Sequence, residues 1–349
     1  MDFIRSKIEE NLAQKIPFVC YAKPDSNQVI GLFQRSNQNH SFDPTAAGFC
    51  MVSFEGNTQL FIPESDADCY FETFSAKDFL WTEVKPEFES DAKVHFESIV
   101  AKAVNAIEAG ELQKVVLSRK EKHAVDSSQL YATFERLLAL YPSAFRYFWY
   151  HPDSGVWMGA TPEQLAKKVD NSVKTVALAG TQVGSLNSQP QWGEKEIREQ
   201  QLVTDYIVSS LTPVTDSITI SEPYTHQAGS LLHIKTDIEA ELNSNWEAVV
   251  KTLHPTPAVG GFPKSAALQF IAKNEGYDRR FYAGYLGEWN KNFGTFKLGD
   301  SDLYVNLRCM QWENDSLSIY VGCGISAGSD PEKEFMETVH KAATVKRAL

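Results

Sequence analysis

Two pairs of glutamates, each inside a predicted helix, are candidates for binding a metal ion. Glu196 and Glu199 lie in EKEIREQQLV, and Glu334 and Glu337 lie in EKEFMETVHKA. A spacing of three residues places the two carboxylates of a pair on neighbouring faces of a helix. Mg²⁺ prefers oxygen ligands, takes one or two protein carboxylates directly and keeps several waters. If the two helices meet, two inner and two outer acids would suit one Mg²⁺ ion.

Helical projection separates the two pairs. At about 100° per residue, Glu199 falls inside the apolar stripe of its helix, where a carboxylate needs a partner. Glu334 and Glu337 project away from the apolar face of their helix, and Lys341 follows one turn later on the same side. Acidic pairs are usually solvated. Projection alone therefore predicts that Glu334 and Glu337 are exposed.

Two cations lie within predicted β-strands. Lys114 opens the apolar run KVVLSR, and Arg308 alternates with apolar residues in LYVNLRCMQW. An arginine can bind a carboxylate through two parallel hydrogen bonds. The alternative is that each residue lies at a partly exposed position of its strand and that its charged group reaches solvent. The local sequence leaves both interpretations open.

Glu163, His233 and His254 are less specific candidates. Glu163 follows Pro162 in GATPEQL, so it is either a functional acid or a first-turn carboxylate that stabilises a helix N-terminus. A single histidine is more often a structural hydrogen-bonding residue than a catalyst. The local sequence does not decide between these roles for the three residues.

Composition restricts the class of protein. The chain has 349 residues, of which 43% are hydrophobic and 22% charged, as expected for a soluble globular protein with a large core. The net charge of -12 argues against nucleic acid as a partner, and no apolar stretch is long enough to span a membrane. The five cysteines lack metal-binding spacings and are expected to be reduced and mostly buried. We expect a cytoplasmic protein.

The predicted elements favour an α+β fold. Short strands are predicted over 17–75, and a further strand begins at Lys114. Later strands are predicted near 145–151, 155–160, 164–169, 173–179, 216–221, 228–241, 281–290, 302–311 and 316–323. Helices are predicted near 1–15, 88–110, 128–140, 192–211, 245–253, 263–273 and 331–348. Runs of strands joined by short turns favour large, mostly antiparallel sheets packed as a sandwich with helices outside. No nucleotide-binding loop is present, because GCGISAG at 322–328 lacks the required lysine and spacing.

Ten segments, in order, resemble the chorismate-utilising enzymes and most closely the isochorismate synthases of menaquinone and siderophore biosynthesis. They span roughly residues 90–349, so the resemblance covers most of the chain. The segments are KVVLSR, GATPEQL, ALAGT, EKEIREQQLV, LLHI, LHPTPAVGGFP, DRRFYAGYLG, VNLRC, VGCGI and EKEFMETVHKA.

The resemblance implies a role for Lys114 and Glu163. In the family, a lysine at the first position is the general base for a water that attacks C2 of the chorismate ring. An acid at the second position protonates the hydroxyl that leaves C4. A base must be neutral and a proton donor must be protonated near neutral pH, and burial favours both states.

The resemblance also assigns the binding residues. Glu199 and Glu337 would bind Mg²⁺ directly, and Glu196 and Glu334 would act through its waters. For Glu334 and Glu337, this expectation replaces the solvent exposure that helical projection predicts. The ring carboxylate would bind the metal. The remaining residues would contact chorismate: Arg308, Tyr282 and the backbone near Gly324 at the enolpyruvyl carboxylate, Lys341 beside the metal, Gly180 along the ring, and His233 near C4.

One departure and two alternatives accompany this interpretation. The family often has histidine where this chain has Gln200, which we interpret as variation behind the metal-binding acids. The nearest alternative is a salicylate synthase, which also eliminates pyruvate; Tyr282 and Leu307 suit either enzyme, whereas Ala258 favours stopping at isochorismate. The other alternative is a catalytically silent chorismate-binding or regulatory protein, against which the retained Lys114, Glu163 and four acids count.

We therefore expect a Mg²⁺-dependent isochorismate synthase that is a monomer with a chorismate-binding fold. The chain is predicted to be a single domain, with residues 1–85 as a variable N-terminal part and residues 86–349 as the catalytic core.

Overall fold

The helices of the protein lie at the positions that the sequence predicts. A computed structural model describes residues 1–75, 87–184, 190–228, 231–313 and 315–349. Over these residues the α-helices are α1 (Asp2–Gln14), α2 (Ser90–Glu108), α3 (Leu130–Leu140), α4 (Glu194–Leu211), α5 (Trp246–Leu253), α6 (Lys264–Asn274) and α7 (Pro331–Lys346). None of the helices in the described ranges is long and apolar enough to cross a bilayer.

The strands alternate with these helices along the chain. They are β1 (Phe18–Ala22), β2 (Gln28–Gln34), β3 (Gly48–Val52), β4 (Gln59–Pro63), β5 (Ala67–Thr73), β6 (Lys114–Ala124), β7 (Phe145–His151), β8 (Gly155–Thr161), β9 (Gln164–Val169), β10 (Ser172–Val183), β11 (Thr215–Ile220), β12 (Tyr224–Ala228), β13 (Leu231–Leu242), β14 (Gly261–Phe262), β15 (Tyr285–Trp289), β16 (Lys291–Asn292), β17 (Lys297–Leu298), β18 (Ser301–Val305), β19 (Cys309–Glu313) and β20 (Ser316–Ile325).

Two large sheets contain nearly all of these strands. One sheet has the order β14-β6-β20-β19-β8-β7-β1-β2-β5. The other has the order β11-β13-β10-β9-β18-β15-β3-β4, with β12 also paired to β13. All pairings between the described strands are antiparallel. The predicted α+β class is confirmed.

Strand β1 shows how the sheets pack. Side chains of successive strand residues point to opposite faces. Val19 and Tyr21 join the core that contains residues of both sheets, and the Tyr21 ring lies 5.0 Å from that of Phe49 in the other sheet. Phe18 and Cys20 instead join a second core that includes residues of α1, α3 and α7. Both faces of β1 are buried, so its sequence FVCYA is apolar throughout.

Two of the predicted strands are each interrupted in the structure. The segment predicted as one strand over 228–241 contains the end of β12 and most of β13, which pair with each other. The strand predicted over 302–311 is interrupted between β18 and β19, and Arg308 in this interruption has a φ of 49°. Arg308 is therefore not a strand residue. Apolar residues alternate across the interruption, so the sequence pattern does not reveal it.

Strand β6 carries Lys114 at its first position. Its partner β20 runs antiparallel to it from Ser316 opposite Ala124 to Ile325 opposite Val115. On its other side, β14 places Phe262 opposite Lys114. Gly261 makes this close approach feasible, since a Cβ there would lie 2.4 Å from the Lys114 carbonyl oxygen and its φ is 132°.

We predict that Gly261→Ala destabilises the protein, because the added methyl group collides with the backbone of β6. Gly110→Ala is the control: Gly110 also has a positive φ, of 79°, but open space surrounds its Cβ position. The control is expected to cost about 1 kcal/mol and Gly261→Ala about 2–4 kcal/mol of unfolding free energy, measured by urea denaturation. Equal losses would contradict the packing argument.

Candidate active site

A cavity of about 210 Å³ contains every site residue that the sequence analysis names as catalytic, substrate-binding or metal-binding. These residues are contributed by segments that are far apart in the sequence but adjacent in the fold. The cavity is lined by Lys114, Glu163, Gly180, Glu196, Glu199, His233, Tyr282, Arg308, Gly324, Glu334, Glu337 and Lys341. Their convergence is observed, whereas their individual roles remain predictions.

Lys114 is held in the cavity wall by an ion pair. The residue is only 4% exposed, and its Nζ donates to Glu199 Oε1 over 2.6 Å. Gly324 lies beside this pair, since a Cβ there would come within 3.2 Å of both Lys114 Cε and Glu199 Oε1. The alternative of a strand lysine whose head reaches solvent is therefore wrong. Glycine at position 324 leaves room for the ion pair.

Glu163 lies in the turn between β8 and β9 and not at a helix N-terminus, so that alternative is wrong. Its carbonyl oxygen accepts a hydrogen bond from Val305 N over 2.9 Å, and its own N–H lies 3.4 Å from Thr161 Oγ1. Burial raises the pKa of the Glu163 carboxyl to about 7, against the opposing effect of nearby Lys114 and Arg308. A substantial fraction of this carboxyl is therefore protonated near neutral pH.

The two acidic pairs occupy the first two turns of α4 and α7. Asp330 begins α7, because its side chain accepts from Lys333 N over 2.9 Å. Contrary to helical projection, Glu334 is buried, with 8% exposure. The Glu337 side chain is 40% exposed, as projection predicts, and its carboxylate pairs with Lys341 over 2.6 Å. Projection fails for Glu334 because α7 packs on both β20 and α2, so more than one face of the helix is covered.

These acids are oxygen donors of the kind that a hard divalent cation takes, and all four line one cavity. Within the described ranges, however, no three acidic, histidine or cysteine side chains are gathered as a ready metal centre. Lys114 and Lys341 each hold one acid of a pair. The four carboxylates are suitable ligands for a Mg²⁺ ion. In this structure, two of them form ion pairs with lysines instead.

Arg308 and Tyr282 form the part of the wall suited to an anion. Burial lowers the pKa of the Arg308 guanidinium, which remains a cation at neutral pH. In the described part of the chain, neither the Arg308 guanidinium nor the Tyr282 hydroxyl has a hydrogen-bond partner, although both residues line the cavity. A half-buried cation whose guanidinium has no hydrogen-bond partner in the described ranges favours the binding of an anionic group from solution.

His233 and Gly180 are joined by a hydrogen bond. The His233 Nδ1 lies 3.0 Å from the Gly180 carbonyl oxygen, and a carbonyl only accepts, so Nδ1 carries the proton. Burial lowers the pKa of His233 to about 4, which makes the ring neutral at neutral pH. A Cβ at Gly180, whose φ is 70°, would lie 3.1 Å from Glu196 Cβ.

His254 and Gln200 have structural contacts outside the cavity lining. His254 Nε2 bonds to the Phe54 carbonyl oxygen over 3.0 Å, and burial lowers the pKa of its ring to about 4. Gln200 is buried and donates to the hydroxyls of Thr204 and Thr236. Gln200 therefore ties α4 to β13 behind the acids.

The family of the chain follows from comparison with known proteins. A family model described as chorismate binding enzyme matches residues 71–349. The chain belongs to this family. The family resemblance that the motifs indicate is therefore confirmed, and the cavity lies in the matched region.

Two curated relatives of this chorismate-binding enzyme are isochorismate synthases. Isochorismate synthase EntC of Escherichia coli is 29% identical, over 94% of this chain and 88% of that protein. The salicylate biosynthesis isochorismate synthase of Pseudomonas aeruginosa is 31% identical, over 73% of this chain but only 54% of the relative, so the chain matches about half of that protein's length. The solved structure of the menaquinone-specific isochorismate synthase MenF of Escherichia coli has a TM-score of 0.79 at 21% identity, covering 96% of this chain and 89% of that one, which shows the shared fold.

The sequence analysis missed a buried ion pair that supports the cavity of this family member. The Arg279 guanidinium pairs with Glu275 through two hydrogen bonds, of 2.5 and 2.8 Å, and both side chains are almost completely buried. Arg279 also donates to the carbonyl oxygens of Val116 and Val259, which both line the cavity. Glu275 accepts from the N–H of Ser118 over 2.6 Å. Their spacing of four residues was the available signal, but exposed helical pairs have the same spacing.

We predict that Arg279→Met strongly destabilises the protein, because it leaves the Glu275 carboxylate buried without its partner. The expected loss is about 3–5 kcal/mol of unfolding free energy in urea denaturation. Arg198→Met is the matched control, since Arg198 forms an i,i+4 pair with Glu194 at an exposed site. The control should leave the free energy essentially unchanged. Similar small effects of both substitutions would show that the buried pair is dispensable.

We also predict that Glu163→Gln stabilises the protein at pH 8 but not at pH 4. The folded-state pKa of about 7 exceeds the ordinary value of 4.5, so burying the ionised carboxyl costs stability as the pH rises from 4.5 through 7. Glutamine avoids this cost, and the gain at pH 8 is expected to be about 1–3 kcal/mol. Thermal unfolding at both pH values checks this. A gain that does not depend on pH would contradict the raised pKa.

Proposed function

We propose that this chain is an isochorismate synthase that converts chorismate to isochorismate. The observation that carries the proposal is the single cavity in which a buried lysine, a carboxyl with a pKa of about 7 and a half-buried arginine converge, the arginine having no hydrogen-bond partner for its guanidinium among the described residues. The full-length match to a curated isochorismate synthase supports the same reaction. The relatives act in menaquinone or salicylate biosynthesis by their names, and either type of pathway is compatible with this product.

Lys114 is the proposed general base. It removes a proton from a water molecule as the water oxygen bonds to C2 of the ring, and the ring double bonds shift towards C4. Glu163 is the proposed general acid, which donates its proton as the C4 hydroxyl leaves as water. One water enters and one leaves, so the product is an isomer of the substrate. The raised pKa of Glu163 supports this role, because a proton donor must be protonated near neutral pH.

The remaining lining residues hold the substrate in this proposal. Arg308 and the Tyr282 hydroxyl bind the enolpyruvyl carboxylate together with the backbone at Gly324. Gly180 borders the ring, and neutral His233 lies near C4 as a hydrogen-bonding group without charge. Lys341 adds positive charge on the side of the acids, where its Nζ also bonds to the Gly322 carbonyl oxygen over 3.0 Å.

Mg²⁺ is the proposed cofactor. Glu199 and Glu337 would bind it directly, and Glu196 and Glu334 would bind its waters. When bound, the cation supplies positive charge for the ring carboxylate of chorismate. The four carboxylates of α4 and α7, which line the same cavity, support the assignment.

Incubation with chorismate, with and without Mg²⁺, tests the proposal when the products are separated by chromatography. Isochorismate formed only with Mg²⁺ is the expected result. Salicylate and pyruvate would instead identify a salicylate synthase, an outcome against which Ala258 in the cavity wall counts. Unchanged chorismate under both conditions would indicate a catalytically silent chorismate-binding protein.

We predict that Lys114→Ala lowers kcat by about 10²–10⁴-fold, because it removes the base. Lys291→Ala is the matched control, since Lys291 is also a buried lysine, 8% exposed, whose Nζ pairs with one carboxylate, that of Glu64. Lys291 does not line the cavity. Steady-state kinetics and circular dichroism of both variants check the prediction. A folded Lys114→Ala protein that still forms isochorismate at the wild-type rate would refute the assignment.

A further inference from the structure

Asn306 makes four hydrogen bonds with neighbouring segments of the fold. It lies in the interruption between β18 and β19 and is fully buried, with 0% exposure. Its backbone N donates to Gly284 O over 2.8 Å, and its backbone O accepts from Ala283 N over 2.9 Å. Its side-chain Nδ2 donates to Phe281 O over 2.9 Å, and its Oδ1 accepts from the Tyr147 hydroxyl over 2.5 Å. Three of these bonds hold the turn over 281–284.

The segments that Asn306 joins both contain an unfavourable backbone conformation. Ala283 in the turn has a φ of 59°, and Arg308, two residues after Asn306, has a φ of 49°. Residues with a Cβ rarely adopt this left-handed region, and such a conformation persists only where its surroundings impose it. The hydrogen bonds of Asn306 hold one of these segments against the other, next to the pairing of β15 with β18.

These two segments carry Tyr282 and Arg308, the two residues that are proposed to bind a carboxylate. Tyr282 belongs to the turn, and Arg308 belongs to the interruption. Both line the cavity, and their polar groups form no hydrogen bond within the described ranges. Among the described residues no hydrogen-bond partner holds the guanidinium or the hydroxyl, although the Tyr282 ring stacks on that of Tyr320 at 5.6 Å. The relative position of the two polar groups therefore depends in large part on the backbone that carries them. Asn306 holds that backbone.

An amide suits both contacts at position 306. The Tyr147 hydroxyl donates to this side chain, and the Phe281 carbonyl, which also accepts from Gly284 N over 3.1 Å, accepts from it. A neutral amide provides both, an ionised carboxylate only accepts, and leucine provides neither. An apolar residue of similar size would fill the same core space, so packing alone does not explain the asparagine.

We propose that Asn306 is a positioning residue that sets Arg308 and Tyr282 at the spacing required to bind a substrate carboxylate. The inference rests on the proposed function, because the carboxylate is taken to be that of chorismate. Asn306 does not touch the substrate. It acts through Arg308 and Tyr282, so its loss weakens carboxylate binding more than the chemical step.

The test measures chorismate affinity by calorimetry, and KM and kcat by steady-state kinetics, for Asn306→Asp and Asn306→Leu. Asn306→Asp keeps the acceptor for Tyr147 but replaces the donor to Phe281 O with a carboxylate oxygen, which repels that carbonyl. Both variants are expected to raise Kd and KM by about tenfold or more while kcat changes by less than about threefold. Thr175→Val is the matched control: it also loses one buried hydrogen bond, of 2.7 Å to Leu165 O, but is expected to lower Tm without changing KM.

A double-mutant cycle with Arg308→Met separates positioning from a general loss of stability. If Asn306 acts through Arg308 and Tyr282, Asn306→Asp raises Kd in the wild-type background and raises it clearly less in the Arg308→Met background. Equal effects on Kd in both backgrounds would overturn the proposal. An unchanged Kd for folded Asn306→Asp and Asn306→Leu would overturn it as well.

Tyr147→Phe keeps the test decisive if the Asn306 variants do not fold. It removes the single bond to Asn306 Oδ1 without changing shape, and a rise of about threefold in Kd is expected. An unchanged Kd for that variant overturns the proposal. Wild-type protein that neither binds nor converts chorismate would overturn the proposed function together with this inference, whereas active wild-type protein with equal Kd values in all variants overturns the inference alone.

Discussion

The buried ion pair between Glu275 and Arg279 is the interaction on which the cavity depends. Through Arg279, it joins the carbonyl oxygen of Val116 in β6 to the carbonyl oxygen of Val259. The Arg279 carbonyl also accepts from Tyr282 N over 2.9 Å, which attaches the turn that carries the tyrosine. A buried pair of this kind contributes little net stability, but removing one partner is costly. Arg279 therefore fixes the positions of three parts of the cavity wall relative to one another: Val116, Val259 and the turn that carries Tyr282.

Burial then gives the groups in the cavity their chemical properties. The carboxyl of Glu163 has a raised pKa and the ring of His233 a lowered one, and in both cases burial is the largest cause. Lys114 and Lys341 are each neutralised by a carboxylate, whereas Arg308 has no such partner among the described residues. The cavity therefore combines a protonated acid, a neutral imidazole and one cation available to an anion. In the proposed isomerisation these three groups act as the proton donor, an uncharged hydrogen-bonding group and the residue that binds a carboxylate.

The sequence predicts those features that depend on local patterns. Hydrophobic periodicity places the helices within a few residues, and alternating strands indicate the α+β class. Contacts between distant residues are not predictable in this way. The exposure of Glu334 depends on how α7 meets β20, the break before Arg308 is masked by continuing apolar alternation, and the bonds of Asn306 require Phe281 and Tyr147 to be adjacent in space. The prediction that the site residues share one cavity came from the family resemblance and not from hydrophobic periodicity.

The central claim is that this cavity adds a solvent water to C2 of chorismate while the C4 hydroxyl leaves. The most direct measurement is mass spectrometry of the product formed by the wild-type protein in water enriched in ¹⁸O, analysed at low conversion. The account predicts isochorismate with one ¹⁸O atom, located at C2. Unlabelled isochorismate would show that the original hydroxyl migrates within the substrate, and this result would contradict the assignment of Lys114 as the base that activates water.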